Sequence, residues 1–319
     1  KERLKRKLQN AKDKKPYEQV ISEAQRVLLT PSWDEQERIE ALEGLKIDDV
    51  EEFRRKFLAT IDTAILSTGN TTKETTLEIG SLVKRTLLSN AETTKVERSK
   101  ITKLSGPDNW YQQIKVQHPD TGFVYYLQGR DQSYRERATF LLLSQMLSTD
   151  YYSQIRTEKQ LGYIVFATNF SLLEVPGLAF IVQSPNSNGP TLVDETQAFL
   201  YEQQNKIKNI TDEEFDRYQT AVISKLLKSD NTLYERSNRY WKDIDSENID
   251  FDTREQIVEA IKTLTTDNIL SFFTSLIDNH GNSLAIYSYN EEDDAKKEAP
   301  KEEKFSILSD LQLGTLETF

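Results

Sequence analysis

The sequence predicts an α+β protein, with helices packed on one face of a mostly antiparallel sheet, in two similar copies of which the first is truncated. Three observations carry that expectation. Apolar runs of strand length, at residues 111–116, 123–127, 163–167 and 178–183, alternate with longer stretches of helical periodicity. An internal match then aligns Leu45-Lys-Ile-Asp48-Asp-Val50-Glu-Glu-Phe53 with Leu264-Thr-Thr-Asp267-Asn-Ile269-Leu-Ser-Phe272. The acid and the phenylalanine keep one spacing, 267 minus 48 and 272 minus 53 both giving 219. Finally, each copy reads as an acid-capped amphipathic helix running into an apolar strand, residues 63–67 in the first and 283–288 in the second. A repeat of that length is too long for a solenoid unit and suits two homologous domains.

The elements follow in order. Leu4, Leu8 and Ala11 recur at helical spacing, so the basic opening (Lys1, Arg3, Lys5, Arg6, Lys7) reads as the solvated face of a helix rather than a nucleic-acid arm. Residues 18–29 and 33–43 are helical, with Pro31 breaking between them, and residues 77–88 form another helix. Residues 90–105 are polar and aperiodic and lead to Gly106-Pro107, the pattern of a linker between the copies. Strands at 111–116 and 123–127 flank the turn Pro119-Asp120-Thr121-Gly122. A strongly apolar helix over 135–148 precedes two strands, 163–167 and 178–183, expected to pair across a loop carrying Pro176-Gly177. The second of these continues to Ser184 and reads as an ordinary internal strand, or as an edge able to take an extended peptide. Asn186-Ser-Asn-Gly189 reads as the loop after it. Thr211-Asp-Glu-Glu214 is a capping box, with Phe215, Tyr218, Val222 and Leu226 on one face behind it. Tyr234, Tyr240 and Trp241 fall within a helix at a spacing that suits core or inter-domain packing. Residues 291–304 are charged and of low complexity, a flexible linker to a short tail.

Composition excludes several function classes. A length of 319 residues allows two domains with a core each. The hydrophobic fraction is 37%, and no apolar run approaches the roughly 18 residues of a membrane helix. A net charge of −11 argues against nucleic acid as the main partner. With no cysteine there is no disulfide, thiol catalysis or cysteine-based metal site. The chain opens at Lys1 in mid-amphipathic pattern and is expected to come from something longer.

The segment Ser153-Gln-Ile-Arg-Thr-Glu-Lys-Gln-Leu-Gly-Tyr-Ile-Val-Phe166 holds the candidate site. Residues 151–158 read as a helix end and 162–167 as the start of a strand, with Gly162 in the turn between them. That arrangement aims Arg156 and Tyr163 at one spot, where their donors can hold a carbonyl oxygen or an oxyanion. On residue types alone a second reading stands beside it: Arg156 as a surface ion-pair partner and Tyr163 as a half-buried strand residue.

Arg156-Thr-Glu-Lys-Gln-Leu-Gly-Tyr163 resembles a stretch in the C-terminal half of the pitrilysin and insulin-degrading enzyme family of zinc peptidases. Lys14-x-Pro16-Tyr17 with Ala24-Gln25, Gly69-Asn70-Thr71, Phe180-Ile-Val-Gln-Ser184, Phe251-Asp252-x-Arg254 and Ile261-Lys-x-Leu-Thr265 fall in the family's order. The likeness runs from about residue 2 to about residue 288. It implies two homologous metallopeptidase-like domains. Residues 1–89 would be the C-terminal part of the third family repeat, 90–107 a linker, 108–290 the complete fourth repeat, and 291–319 a charged linker and tail. It also implies two bowl-shaped halves closing around a chamber, peptide substrates, the N-terminal catalytic half as partner, and a bacterial periplasmic location.

The family's zinc is bound through His-x-x-Glu-His and a later glutamate in the first domain, a motif this sequence lacks. The resemblance therefore implies a zinc metalloendopeptidase parent whose metal lies in the absent half, and a segment inactive alone. Arg156 and Tyr163 would support substrate binding and the transition state; no metal ligand or complete catalytic set is expected here. His118 and His280, beside Pro119 and Gly281, read as exposed turn residues. There is no Gly-x-Ser-x-Gly elbow and no glycine-rich phosphate loop. A catalytically silent scaffold and a peptide-binding module of the same fold remain the alternatives.

Overall fold

The computed structural model describes residues 1–279, 281–290, 305–307 and 318–319. The first third holds α1 (Glu2–Gln9), α2 (Pro16–Leu28), β1 (Leu29–Thr30), α3 (Glu35–Gly44), α4 (Ile47–Ala59), α5 (Lys73–Thr86) and β2 (Lys100–Ile101). Then come β3 (Asn109–Lys115), β4 (Thr121–Gln128), α6 (Tyr134–Tyr151), a π-helical turn over Tyr152–Glu158, β5 (Ile164–Asn169) and β6 (Gly177–Ser184). The remainder is α7 (Gly189–Lys208), α8 (Asp212–Leu226), α9 (Leu233–Asp245), α10 (Thr253–Thr263), α11 (Thr266–Asp278), β7 (Ser283–Tyr289) and β8 (Phe305–Ile307). The expected linker at 291–304 and the turn at His280 lie outside the described residues.

The described residues divide into two compact units, each assembled from separate stretches of chain. One comprises Lys1–Leu8, Asp34–Ser99 and Lys228–Thr253; the other comprises Gln9–Trp33, Lys100–Leu227 and Arg254–Phe319. The second unit is built on a six-stranded sheet of order β5-β6-β4-β7-β3-β8. Its first three pairings are antiparallel, while β3 runs parallel to β7 and to β8. So β3 and β4, although joined by the turn at 119–122, do not pair as a hairpin: β7 lies between them.

Both faces of this sheet are covered, which corrects the expectation of helices on one face. Phe123, Tyr125 and Leu127 of β4 and Phe180 and Val182 of β6 pack with α6, α7, α8, α10 and α11. The alternate residues Val124, Tyr126, Ala179 and Ile181 pack against Val20, Ala24, Val27 and Leu28 of α2. β4 and β6 are therefore buried along their whole length. That is why Phe123-Val-Tyr-Tyr-Leu127 reads as a continuous apolar run instead of an alternating one. Gly122 permits the close approach of α2, since a Cβ there would lie 2.4 Å from the backbone of Pro16.

The helical part of the internal match appears as two helices of equal length. α4 and α11 begin and end with the same offset, Ile47 against Thr266 and Ala59 against Asp278. α11 buries Ile269, Phe273 and Leu276, each worth roughly 1.5–3 kcal/mol. α4 buries nothing: Ile47, Val50, Phe53 and Phe57 form an exposed apolar stripe in which the two phenylalanines stack.

Other expectations changed. Residues 63–67 are not a strand, because no neighbouring chain among the described residues supplies a ladder; only Thr60 bridges Glu92 nearby. The end of the polar stretch at 90–105 is tied down, β2 pairing antiparallel with β1 while Ile101 and Leu104 are buried. α7 is a 20-residue helix that begins at Gly189, the last residue of the expected loop. Asn188 caps it and Pro190 lies in its first turn, both local start signals. Tyr234 and Trp241 of α9 are exposed rather than packed; Tyr240 rests edge-on against Phe251.

Candidate substrate site

The candidate segment is held from its buried end. Tyr151, at the close of α6, packs edge-on against Phe180 and Phe199 with ring centroids 5.0 and 5.1 Å away, and its hydroxyl meets Thr196 Oγ1 at 3.1 Å. The helix then widens to π geometry, a local irregularity frequent at functional sites. Ile155 is the buried residue of this turn. The turn closes through Lys159 N to Gln154 O and Leu161 N to Ile155 O, both 2.9 Å.

Arg156 is exposed on this turn, its guanidinium 5.2 Å from the Tyr152 ring centroid. No carboxylate pairs with it among the described residues. Tyr163 follows at the mouth of β5, its backbone N–H donating to Gln183 O at 3.1 Å. Gly162 is needed for that approach. A Cβ there would stand 2.5 Å from Val182 Cγ1 and 2.7 Å from Gln183 O.

The phenol of Tyr163 is 46% exposed but firmly partnered. Its hydroxyl donates to Asp120 Oδ2 at 2.7 Å. Gln183 Nε2 donates to the same oxygen at 3.0 Å and also to the Tyr163 hydroxyl. Gln183 Oε1 accepts from Tyr17 N at 3.4 Å, and His118 Nδ1 accepts from Asp120 N at 3.0 Å. Desolvation, the hydrogen bond to Asp120 and that group's charge raise the phenol's pKa, against a lowering by Gln183.

Arg156 and Tyr163 thus stand at the two ends of one turn, and no hydrogen bond joins them. Asp120 and Gln183 were not singled out from sequence. Asp120 reads as a turn residue and Gln183 as a strand residue, and nothing local says that a sheet brings them together. β6 is an internal strand, while β5 is the outermost strand of the described sheet beside it. Among the described residues no three His, Cys, Asp or Glu side chains converge as a metal site, and no helix is long and apolar enough to cross a membrane.

Residues 142–241, which include Arg156 and Tyr163, match the family described as PQQ synthase PqqF-like, C-terminal lobe domain 4. The chain is 29% identical over 283 residues to the insulin-degrading enzyme of Homo sapiens, covering 87% of this chain and 28% of that protein. It is 28% identical over 268 residues to Protease 3 of Escherichia coli O6:H1, covering 83% of this chain and 28% of the relative. The crystal structure of pitrilysin superposes with a TM-score of 0.84 at 26% identity, over 98% of this chain and 34% of the other. The chain is a homologue of insulin-degrading enzyme and Protease 3. Its helices on a mostly antiparallel sheet are the pitrilysin fold, and it spans little more than a quarter of the length of these curated relatives.

Proposed function

We propose that this chain is the non-metal-binding C-terminal half of a zinc metalloendopeptidase, completing a closed chamber and helping to bind and orient peptide substrate. One observation carries the reading. A single turn presents an exposed guanidinium with no acidic partner among the described residues at one end and an exposed, oriented phenol at the other. In a water-poor chamber such donors orient a peptide carbonyl and stabilise the charge that develops on its oxygen, each worth about 3 kcal/mol. The guanidinium fork donates two parallel hydrogen bonds, which an ammonium does not reproduce. The described residues hold no ligand set for zinc, and no step performed by this chain runs through the metal, whose binding the reading assigns to the N-terminal half. A bacterial periplasmic location belongs to the same proposal.

The test is peptide hydrolysis by the zinc-loaded parent carrying Arg156→Lys or Tyr163→Phe. We expect kcat/KM to fall by about 10²–10³ for a lost oxyanion donor. Near-wild-type rates in both variants would overturn the assignment. Peptide binding without hydrolysis in the intact parent would favour the scaffold or peptide-binding reading.

A further inference from the structure

We propose that Asp120 and Gln183 are positioning residues for Tyr163, fixing its hydroxyl in place and holding its proton until a substrate oxygen competes for it. This inference rests on the reading of Tyr163 as a substrate contact. The three groups close a ring in which each proton is used once. The phenol donates to Asp120, one Gln183 N–H donates to Asp120, and the Gln183 amide nitrogen also reaches the phenol oxygen. The orientation of the Gln183 amide is decided by its surroundings. Turned over, its oxygen would face a carboxylate and its NH₂ would face the N–H of Tyr17.

The ring joins a buried group to an exposed one. Gln183 is 1% exposed and sits on an internal strand, whereas the phenol projects from a turn. Its backbone neighbour Gly162 is pressed against the same strand, so phenol and amide share one rigid reference. Rigidity matters because displacement of a catalytic donor by about 1 Å can cost roughly 100-fold in rate. The acceptor matters as well. A neutral peptide carbonyl is a weaker acceptor than a carboxylate, so the phenol keeps donating to Asp120 when substrate first binds. As negative charge grows on the substrate oxygen it becomes the stronger competitor. The contribution of Tyr163 therefore belongs to the transition state, and disturbing its holder acts on kcat more than on KM.

The experiment compares Asp120→Asn and Asp120→Ala in the zinc-loaded parent, each alone and combined with Tyr163→Phe. Expected are a fall in kcat of about 10-fold for Asp120→Ala with KM within about twofold. Little further loss is expected when the Tyr163 hydroxyl is already gone. Equal losses with and without that hydroxyl would overturn the proposal, since Asp120 would then act elsewhere. In parallel, this chain carrying 13Cζ-labelled tyrosine is titrated by NMR, the Tyr163 signal being assigned with Tyr163→Phe. Asp120→Asn should lower the pKa of Tyr163, an effect that a merely structural role does not produce; an unchanged value overturns the hold. Full activity of Tyr163→Phe would instead remove the substrate reading of Tyr163, and the titration alone would then decide whether Asp120 positions it.

Discussion

The fate of single side chains depends on where the sheet puts them. Three phenols show it. Tyr126, Tyr151 and Tyr287 lie in the interior of the second unit, and burial raises the pKa of each well above that of a free phenol. A folded pKa above the unfolded value, about 10, adds stability that is complete below that pH and lost as pH rises toward the folded value. The chain should therefore lose up to about 1.4 kcal/mol per pH unit per phenol above pH 10. Denaturant melts at pH 9 and 11 measure this, and equal midpoints would contradict it. Arg156 and Tyr163 were singled out by the family likeness of their segment, residue types alone leaving the surface reading beside it. Their partners were not, because Asp120 and Gln183 are 63 residues apart and meet only through sheet pairing.

Elements bear the clearest mark of context. The π-helical turn and Gly162 together set the path of the candidate segment. Gly162→Ala forces a methyl into Val182 and the Gln183 carbonyl, so it should cost about 1–3 kcal/mol and loosen the Tyr163 ring. A lowered Tm together with a weakened Tyr163 to Asp120 bond, read by the phenol's NMR signal, is the expected result; an unperturbed Tm would show that the approach is less tight than described. α4 and α11 are the second case. They share length and offset, yet one is buried against a sheet and the other presents Phe53 at 67% and Phe57 at 52% exposure. An apolar stripe of that kind promotes association. The chain should self-associate, and Phe53→Ser with Phe57→Ser should shift it toward monomer in sedimentation velocity without loss of helix content. Persistent association of the double variant would place the sticky surface elsewhere.

For the whole molecule, the proposed division of labour makes a simple demand. This chain alone should not hydrolyse peptides, and mixing it with the separately expressed N-terminal half and zinc should restore activity. Chelator-sensitive hydrolysis by the chain alone would overturn the bipartite reading. What the sequence determined by itself is what local chemistry and repetition encode: the α+β class, most helices, the 219-residue echo, and the turn that carries Arg156 and Tyr163. Periodicity, capping and glycine placement act over a few residues and survive in any single sequence. Only the tertiary structure decided that β7 separates β3 from β4, that α2 covers the second face, and that Asp120 and Gln183 hold the phenol. Strand order and side-chain partnership are properties of distant pairs, and a strand's own residues say that it is buried without saying beside what.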